Sequence, residues 1–236
     1  MNLKRMNLQK FFICRFVNTN VTSHFKRHIT MRKIIGHLAR QLYKSKYSQL
    51  RSRLLNEIQK LNSKQNNNID TLSKILISGE DHRFYYHIGF DIIAIIRAIR
   101  NRLFYNKIEG ASTIEQQLVR VLTEDFDRTF KRKIREILLA TTVSSIVPKN
   151  AIPKIYLNVA YYGTGMHGLN QAITKLGIEE RETMAIEKAA ELVSRIKYPQ
   201  PTNPNTKRLN QIEARTQHLV LLYNRHLSRK YFKIYG

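Results

Sequence analysis

The chain is short of acidic residues, cysteine and long apolar runs. Its 236 residues include 17 Asp and Glu against 41 Lys and Arg, which gives a formal charge of +24. The single cysteine, Cys14, excludes an intramolecular disulfide framework and a zinc site built from thiolates. No apolar run reaches the roughly 18 residues that a transmembrane helix needs. The stretch from Phe11 to Val17 is short, contains Arg15 and lacks a small-residue cleavage site, so it does not predict a signal peptide.

Proline and glycine are also scarce, with 5 and 9 copies. The apolar fraction of 42% is enough for one hydrophobic core. Apolar residues recur at spacings of three and four, so the sequence predicts an all-α domain. The predicted helices cover residues 33–61, 70–77, 91–103, a stretch that starts at 112, and residues 155–163, 184–196 and 206–227.

The first 56 residues differ in charge from the rest. They contain thirteen Lys or Arg and no acid, since the first acidic residue is Glu57. We therefore predict a basic leader over residues 1–56 and the main domain over residues 57–236. Two interpretations of the leader stay open: a solvated basic segment, or one that lies on anionic lipid or nucleic acid.

The predicted helix Asp91–Leu103 alternates isoleucines with arginines. From this pattern alone we favour an ordinary helix face buried in the core. The alternative is a helix that dips into a bilayer surface while its arginines reach lipid phosphates.

Three polar stretches are candidates for chemistry. Glu80 and Asp81 are adjacent acids in an acid-poor chain, at the end of a helix predicted to start with Asp70 as its N-cap. Ser112 and Glu115 have the spacing of a capping box, which predicts a helix start. Further along, Arg128, Arg132 and Glu136 are spaced to share one helical face, either as a surface ladder of ion pairs or as an anion site around one carboxylate.

Four motifs resemble, in order and in separation, the signatures of family 51 glycosyltransferases, the peptidoglycan polymerase modules of penicillin-binding proteins. They are Glu80-Asp81-x-x-Phe84-x-x-His87-x-Gly89, Gly110-x-Ser112-Thr113-Ile114-x-Gln116-Gln117-Leu118, Arg128-Thr129-x-x-Arg132-Lys133-x-x-Glu136 and Tyr156-Leu157-Asn158-x-x-Tyr161-x-Gly163. The resemblance runs from about residue 65 to 225, and no transpeptidase module follows, so the chain resembles a stand-alone polymerase.

This resemblance implies a lysozyme-like helical lobe with a smaller membrane-facing lobe near residues 90–125. It also implies polymerisation of lipid II, in which a sugar 4-hydroxyl attacks the anomeric carbon of a lipid-pyrophosphate donor with inversion. Glu80 would be the base, and Glu136 would orient the cations that hold the pyrophosphate. The substrate-binding residues would be Asp81, Phe84, His87, Ser112, Thr113, Gln116, Gln117, Arg120, Arg128, Arg132 and Lys133.

The implied partners are lipid II, the growing glycan strand, an anionic membrane surface and other cell-wall synthesis proteins, with no nucleic acid. The implied location is peripheral, on the outer face of the bacterial cytoplasmic membrane. No cofactor is assigned; a divalent cation, Mg²⁺ or Mn²⁺, is a candidate at the pyrophosphate site, where Glu136 would orient it in place of the cation cluster.

The chain departs from the family pattern at three places. Arg120-Val121 replaces Lys-Asn, Pro153-Lys154 replaces Leu-Glu so that the helix should start late, and Lys188 replaces a glutamate. These departures and the charge support an alternative hypothesis, a catalytically impaired basic protein that binds anionic lipid or nucleic acid. Against it, both Glu80 and Glu136 are retained.

Overall fold

A computed structural model describes residues 30–63, 68–107, 109–178 and 184–232. The helices are α1 (30–42), α2 (Lys44–Ser63), α3 (Ile69–Glu80), α4 (Ile92–Tyr105), α5 (Ile114–Thr123), α6 (Phe130–Ile146), α7 (Ile152–Val159), α8 (Leu169–Lys175), α9 (Ile186–Lys197) and α10 (Thr206–Ser228). Two short 3₁₀ turns, Phe84–Tyr86 and Lys149–Ala151, and one antiparallel hairpin, β1 (Tyr161–Gly163) with β2 (Met166–His167), complete the described elements. The predicted all-α, lysozyme-like fold is confirmed.

Helices α3 and α5 lie at the centre of the packing. The apolar face of α3, which includes Leu72, Ile75 and Leu76, is fully buried and packs against α7, α9 and α10. Helix α5 packs against α2, α6 and α7 through residues such as Leu118. The core therefore fixes the position of the C-terminal end of α3 and of the polar side of α5.

The predicted boundary at residue 56 falls inside helix α2. Leu50 and Leu54 are fully buried in the core. Lys46 Nζ donates to the Thr123 carbonyl over 2.9 Å, and Arg53 Nη1 donates to the Leu122 carbonyl over 2.9 Å. These carbonyls end α5, so part of the basic segment stabilises the negative end of that helix. Residues 1–29 of the predicted leader lie outside the described residues.

Helix α4 presents its isoleucines to solvent, so the favoured prediction of a buried face is wrong. Asp91 caps the helix by accepting from the Ile93 and Ala94 amides. Within α4 only Ala94 is buried, whereas the exposed apolar residues are Ile92, Ile93, Ile96, Ile99, Leu103, Phe104 and Tyr105. Among the described residues, no helix has the length and apolar character needed to cross a bilayer.

Three local predictions also need correction. Helix α3 starts after Asn68, and Asp70 lies in its first turn, where it pairs with Lys154 Nζ at 2.6 Å. Helix α7 starts at Ile152 with Pro153 in its first turn, where the missing amide costs no hydrogen bond, so the helix is not delayed. The helix ends at Val159 and not at the predicted Gly163, which lies in strand β1.

The position of Gly163 also explains the residue type. Its φ is +148°, and a Cβ there would lie 2.1 Å from the Gln200 carbonyl oxygen. The glycine therefore permits the close approach of the chain after α9, rather than the end of a helix.

The exposure of α4 predicts a contrast in stability. Ile96 is 61% exposed and Leu76 is 0% exposed. We expect Ile96→Ser to change the free energy of unfolding by less than about 0.5 kcal/mol, since surface changes are mild. Leu76→Ser should cost about 3 kcal/mol or more through cavity formation and burial of a hydroxyl. Urea unfolding measures both; a large loss for Ile96→Ser would show that α4 packs against the core in solution.

Candidate active site

Glu80 ends α3 with its carboxylate held from two sides. Arg215 Nη2, on α10, donates to Oε1 over 2.7 Å, and Gln117 Nε2, on α5, donates to Oε2 over 3.2 Å. The carboxylate remains 18% exposed, so solvent or a ligand can reach it. Three helices thus fix its position while leaving one side open.

Arg215 is a site residue that the sequence reasoning missed. It lies 135 positions from Glu80 and also donates to the Gly79 carbonyl over 2.8 Å. Gly79 permits the close approach of α10, because a Cβ there would lie 2.1 Å from Leu219 Cδ2. One signal was present, since Arg215 interrupts the apolar stripe that Ile212 and Leu219 continue.

The loop after Glu80 is built around the next acid. Both oxygens of Asp81 lie 3.0 Å from His87 Nε2, and Oδ2 also accepts from the Ile114 amide over 3.1 Å. The Gly89 amide donates to His87 Nδ1 over 3.2 Å, so the hydrogen of the ring lies on Nε2. Phe84 is fully buried beneath this loop. These three predicted substrate-binding side chains are buried, so they position the loop rather than face a substrate.

Thr113, not Ser112, caps α5. Its Oγ1 accepts from the Gln116 amide over 3.3 Å and donates to the Gly89 carbonyl over 2.7 Å. The predicted capping box with Ser112 is therefore wrong by one residue. Ser112 Oγ instead accepts from Lys133 Nζ over 3.0 Å, which links the start of α5 to α6.

Glu136 is a buried carboxylate surrounded by three cations. Arg120 donates to both of its oxygens, over 3.0 and 3.2 Å, and Lys133 Nζ lies 2.7 Å from Oε1. Arg132, one turn earlier on α6, also donates to Oε2. Burial acts to raise the pKa of Glu136, but the hydrogen bonds from Arg120 and Lys133 outweigh it and hold the pKa below its usual range.

The same cluster acts on Lys133. Burial lowers the pKa of its ammonium, and the nearby Arg120 and Arg132 guanidinium groups add to that effect, while Glu136 opposes it. Three cations against one carboxylate leave an excess of positive charge that is partly open to solvent, since Arg120 and Lys133 are about one third exposed. Such an excess can hold a dianionic group such as a pyrophosphate.

Helix α5 joins the two carboxylates into one site. Gln117 contacts Glu80, whereas Gln116 contacts Lys133 and Arg120 contacts Glu136. The buried Tyr156 of α7 lies near both ends: burial raises the pKa of its phenol, the Glu80 carboxylate raises it further and Arg120 opposes this. The site is therefore continuous from Glu80 to Glu136.

Arg128 does not share the helical face predicted for it. Helix α6 starts at Phe130 with Thr129 as its N-cap, so Arg128 lies in the preceding loop. Its side chain is exposed. The i, i+4 pairing of Arg132 with Glu136 is confirmed, whereas Arg128 lies outside helix α6.

The donor set does not fit a divalent cation at Glu136. Both of its oxygens accept hydrogen bonds from cationic donors, and a cation bound there would have to displace them.

Comparison with known proteins agrees with this geometry. The transglycosylase family model matches residues 48–223. The chain belongs to the transglycosylase family. The match starts within α2, which places that helix in the family domain and agrees with its burial in the core.

Three relatives illustrate the reach of this transglycosylase likeness. Penicillin-binding protein 1A of Rickettsia prowazekii is 32% identical over 159 residues, which is 66% of this chain and 20% of the relative. Penicillin-binding protein 1A of Aquifex aeolicus is 36% identical over 129 residues, 54% of this chain and 18% of the relative. The candidate transglycosylase H16_A0665 of Cupriavidus necator is 32% identical over 142 residues, 59% of this chain and 62% of the relative. The chain thus spans about a fifth of the length of these penicillin-binding proteins.

The structure shows the contacts of two residues that depart from the family pattern, Arg120 and Lys188. Arg120 donates hydrogen bonds to Glu136 through two nitrogens, a bidentate geometry that a lysine cannot form. Lys188 lies half exposed on α9 and pairs with Glu191 at 2.9 Å.

The shared contacts predict that Arg120 and Glu136 act as one unit. We expect Arg120→Ala and Glu136→Gln each to lower kcat/KM on the order of tenfold to a hundredfold, and the double variant to lose little more than the worse single one. Steady-state transglycosylase kinetics measures the double-mutant cycle. Arg135, which pairs with Asp125 at 2.9 Å, is the control on the same helix, and Arg135→Ala should combine additively with Glu136→Gln. Additivity of the Arg120 and Glu136 variants would separate the two residues.

Proposed function

We propose that this transglycosylase polymerises lipid II into glycan strands as a peptidoglycan glycosyltransferase. The observation that carries the proposal is the pairing, along α5, of a partly exposed carboxylate with a cation cluster. The reaction needs both: a base for the attacking hydroxyl, and positive charge for a pyrophosphate that leaves. The relatives named penicillin-binding protein support the same activity.

Glu80 is the general base in this proposal. It takes the proton from the sugar 4-hydroxyl as that oxygen bonds to the anomeric carbon of the donor. The bond from the anomeric carbon to the pyrophosphate oxygen breaks, and its electron pair leaves with the lipid pyrophosphate. Attack opposite the leaving group inverts the centre, so one base suffices and no covalent intermediate forms. Arg215 and Gln117 hold the carboxylate in place.

The cation cluster binds the leaving pyrophosphate. Arg120, Arg132 and Lys133 supply the charge, and Glu136 keeps three mutually repelling groups together. The exposed Arg128 can extend from its loop to the same phosphates. Ser112 and Gln116 orient Lys133, and so contribute to donor binding through it.

The substrate carries a lipid, and α4 offers a surface for the membrane that holds it. Its exposed isoleucines form an apolar face with Arg97, Arg100 and Arg102 on the same helix. Apolar burial together with arginine contact to lipid phosphates is the physics of an interfacial helix. We place the enzyme at the outer surface of the bacterial cytoplasmic membrane, where other cell-wall synthesis proteins are expected partners.

The base assignment predicts that Glu80→Gln abolishes polymerisation of purified lipid II while the protein stays folded. The amide keeps the shape of the side chain but cannot accept the proton, a loss of on the order of a hundredfold or more. Glu213→Gln, an exposed change on α10, is the control and should keep wild-type turnover. Wild-type activity should also be blocked by moenomycin. Near wild-type turnover of Glu80→Gln would refute the role of Glu80.

The membrane proposal predicts two components of liposome binding. Removing residues 1–29 deletes six basic residues, Lys4, Arg5, Lys10, Arg15, Lys26 and Arg27, and should weaken binding to anionic vesicles mainly at low salt. The deletion stops there because Ala39 of α1 is fully buried. Ile96→Ser with Ile99→Ser should also weaken binding at high salt, because burial of apolar surface is not screened.

Co-sedimentation across a salt series measures both components. Neutral vesicles serve as the control for the electrostatic part. If the intact protein ignores anionic vesicles but binds DNA tightly, the alternative of a basic nucleic-acid-binding protein replaces the membrane proposal.

A further inference from the structure

Lys149 reaches from a surface turn into the interior, where it has three contacts. It starts the 3₁₀ turn that precedes α7. Its Nζ pairs with the Glu115 carboxylate, donates to the His87 carbonyl over 3.1 Å and lies 4.1 Å above the centre of the Phe84 ring. The three partners come from two different segments: the loop after Glu80 and the first turn of α5.

The buried carboxylate of Glu115 needs the positive charge of Lys149 to offset its loss of hydration. Its side chain is 0% exposed, and its second oxygen, Oε2, has no hydrogen-bond partner among the described residues. The start of α5 offers some compensation through the helix dipole, but Lys149 is the cation that pairs with it. Removing the lysine would leave a buried carboxylate uncompensated, which is strongly destabilising.

The side chains around the Lys149 ammonium resemble a metal-ion site in which the ammonium supplies the positive charge. Ligand atoms of Asp81, His87 and Glu115 all lie within 4.8 Å of one another, a spacing that could suit a metal ion. The Lys149 ammonium already contacts Glu115 and is held above Phe84. The positive charge at this place is therefore supplied by a side chain whose backbone belongs to a third segment.

We infer that Lys149 is a positioning residue for Glu80, a role that rests on the proposed polymerase function. The ammonium holds the His87 carbonyl at one end of the loop whose other end carries Glu80. Through Glu115 it holds the helix turn that carries Gln117, the residue that donates to Glu80. Loss of Lys149 would free both the loop and the helix turn that position the Glu80 carboxylate. A displacement of a catalytic group by about 1 Å can cost on the order of a hundredfold in rate.

A double substitution separates positioning from stability. Lys149→Met alone should lower the melting temperature, since Glu115 stays buried and unpaired. Lys149→Met combined with Glu115→Gln removes both charges, and replacing a buried ion pair by neutral groups is often close to neutral for stability. We expect this double variant to regain the wild-type melting temperature but to lack the hydrogen bond from residue 149 to the His87 carbonyl.

The kinetic result decides the role. In lipid II polymerisation we expect the double variant to keep kcat at least about tenfold below wild type, with KM within about twofold, because substrate contacts are intact and the base is misplaced. Lys154→Met is the control: this lysine lies in the first turn of α7, directly after the 3₁₀ turn that carries Lys149, but it pairs with the exposed Asp70, and its loss should leave kcat unchanged. Recovery of kcat together with the melting temperature in the double variant would overturn the inference.

A second measurement does not depend on activity. Amide hydrogen exchange should rise in the double variant at residues 82–89 and in the first turn of α5, while α9 and α10 keep wild-type protection. Unchanged hydrogen exchange in that loop would contradict the inference that Lys149 holds the loop in place. If wild-type protein fails to polymerise lipid II, the proposed function fails, but the exchange result still tests whether Lys149 holds the loop.

Discussion

Pairing of scarce buried or half-buried carboxylates with cations from distant segments is the interaction on which the site depends. Glu80 pairs with Arg215 across the α3–α10 contact, and Glu136 gathers cations from α5 and α6. Glu115 and Lys149 repeat the arrangement behind the site. A single charge moved into a low-dielectric interior costs several kcal/mol, and each of these is offset by a partner fixed by the fold. In a chain of charge +24, the acids are the limiting component, and they lie where cations must be organised.

Helix α5 makes these pairs cooperate. Its buried face packs on α2, α6 and α7, while polar residues on its other side reach both carboxylates. Its C-terminal carbonyls are held by Lys46 and Arg53 of α2, and its first turn is held by Thr113. A shift of α5 would therefore disturb Glu80 and the cation cluster around Glu136 together. The basic segment before residue 57 thus contributes to the geometry of the site as well as to the charge of the chain.

Local patterns predicted what local interactions determine. The spacing of apolar residues predicted α3, α9 and α10 closely, and the i, i+4 spacing predicted the contact of Arg132 with Glu136. Errors of register arose where two neighbouring residues could serve the same role, as with Ser112 and Thr113 at the start of α5. Contacts between distant residues were out of reach: nothing near Glu80 indicates Arg215, and nothing near Glu115 indicates Lys149. The only trace of either pair was a charged residue within an apolar stripe.

The error on α4 has a different physical origin. A row of isoleucines at helical spacing is equally suited to a protein core and to the boundary of a bilayer, because both remove apolar surface from water. What distinguishes them is the partner, and the sequence does not contain it. The structure leaves the isoleucines of α4 exposed, and in our proposal the cations around Glu136 bind pyrophosphate. A lipid-linked pyrophosphate joins these two surfaces in one molecule, since its headgroup needs cations and its tail needs an apolar phase. An apolar helix unpartnered within the described chain and a cluster of cations with one carboxylate are then two halves of one requirement.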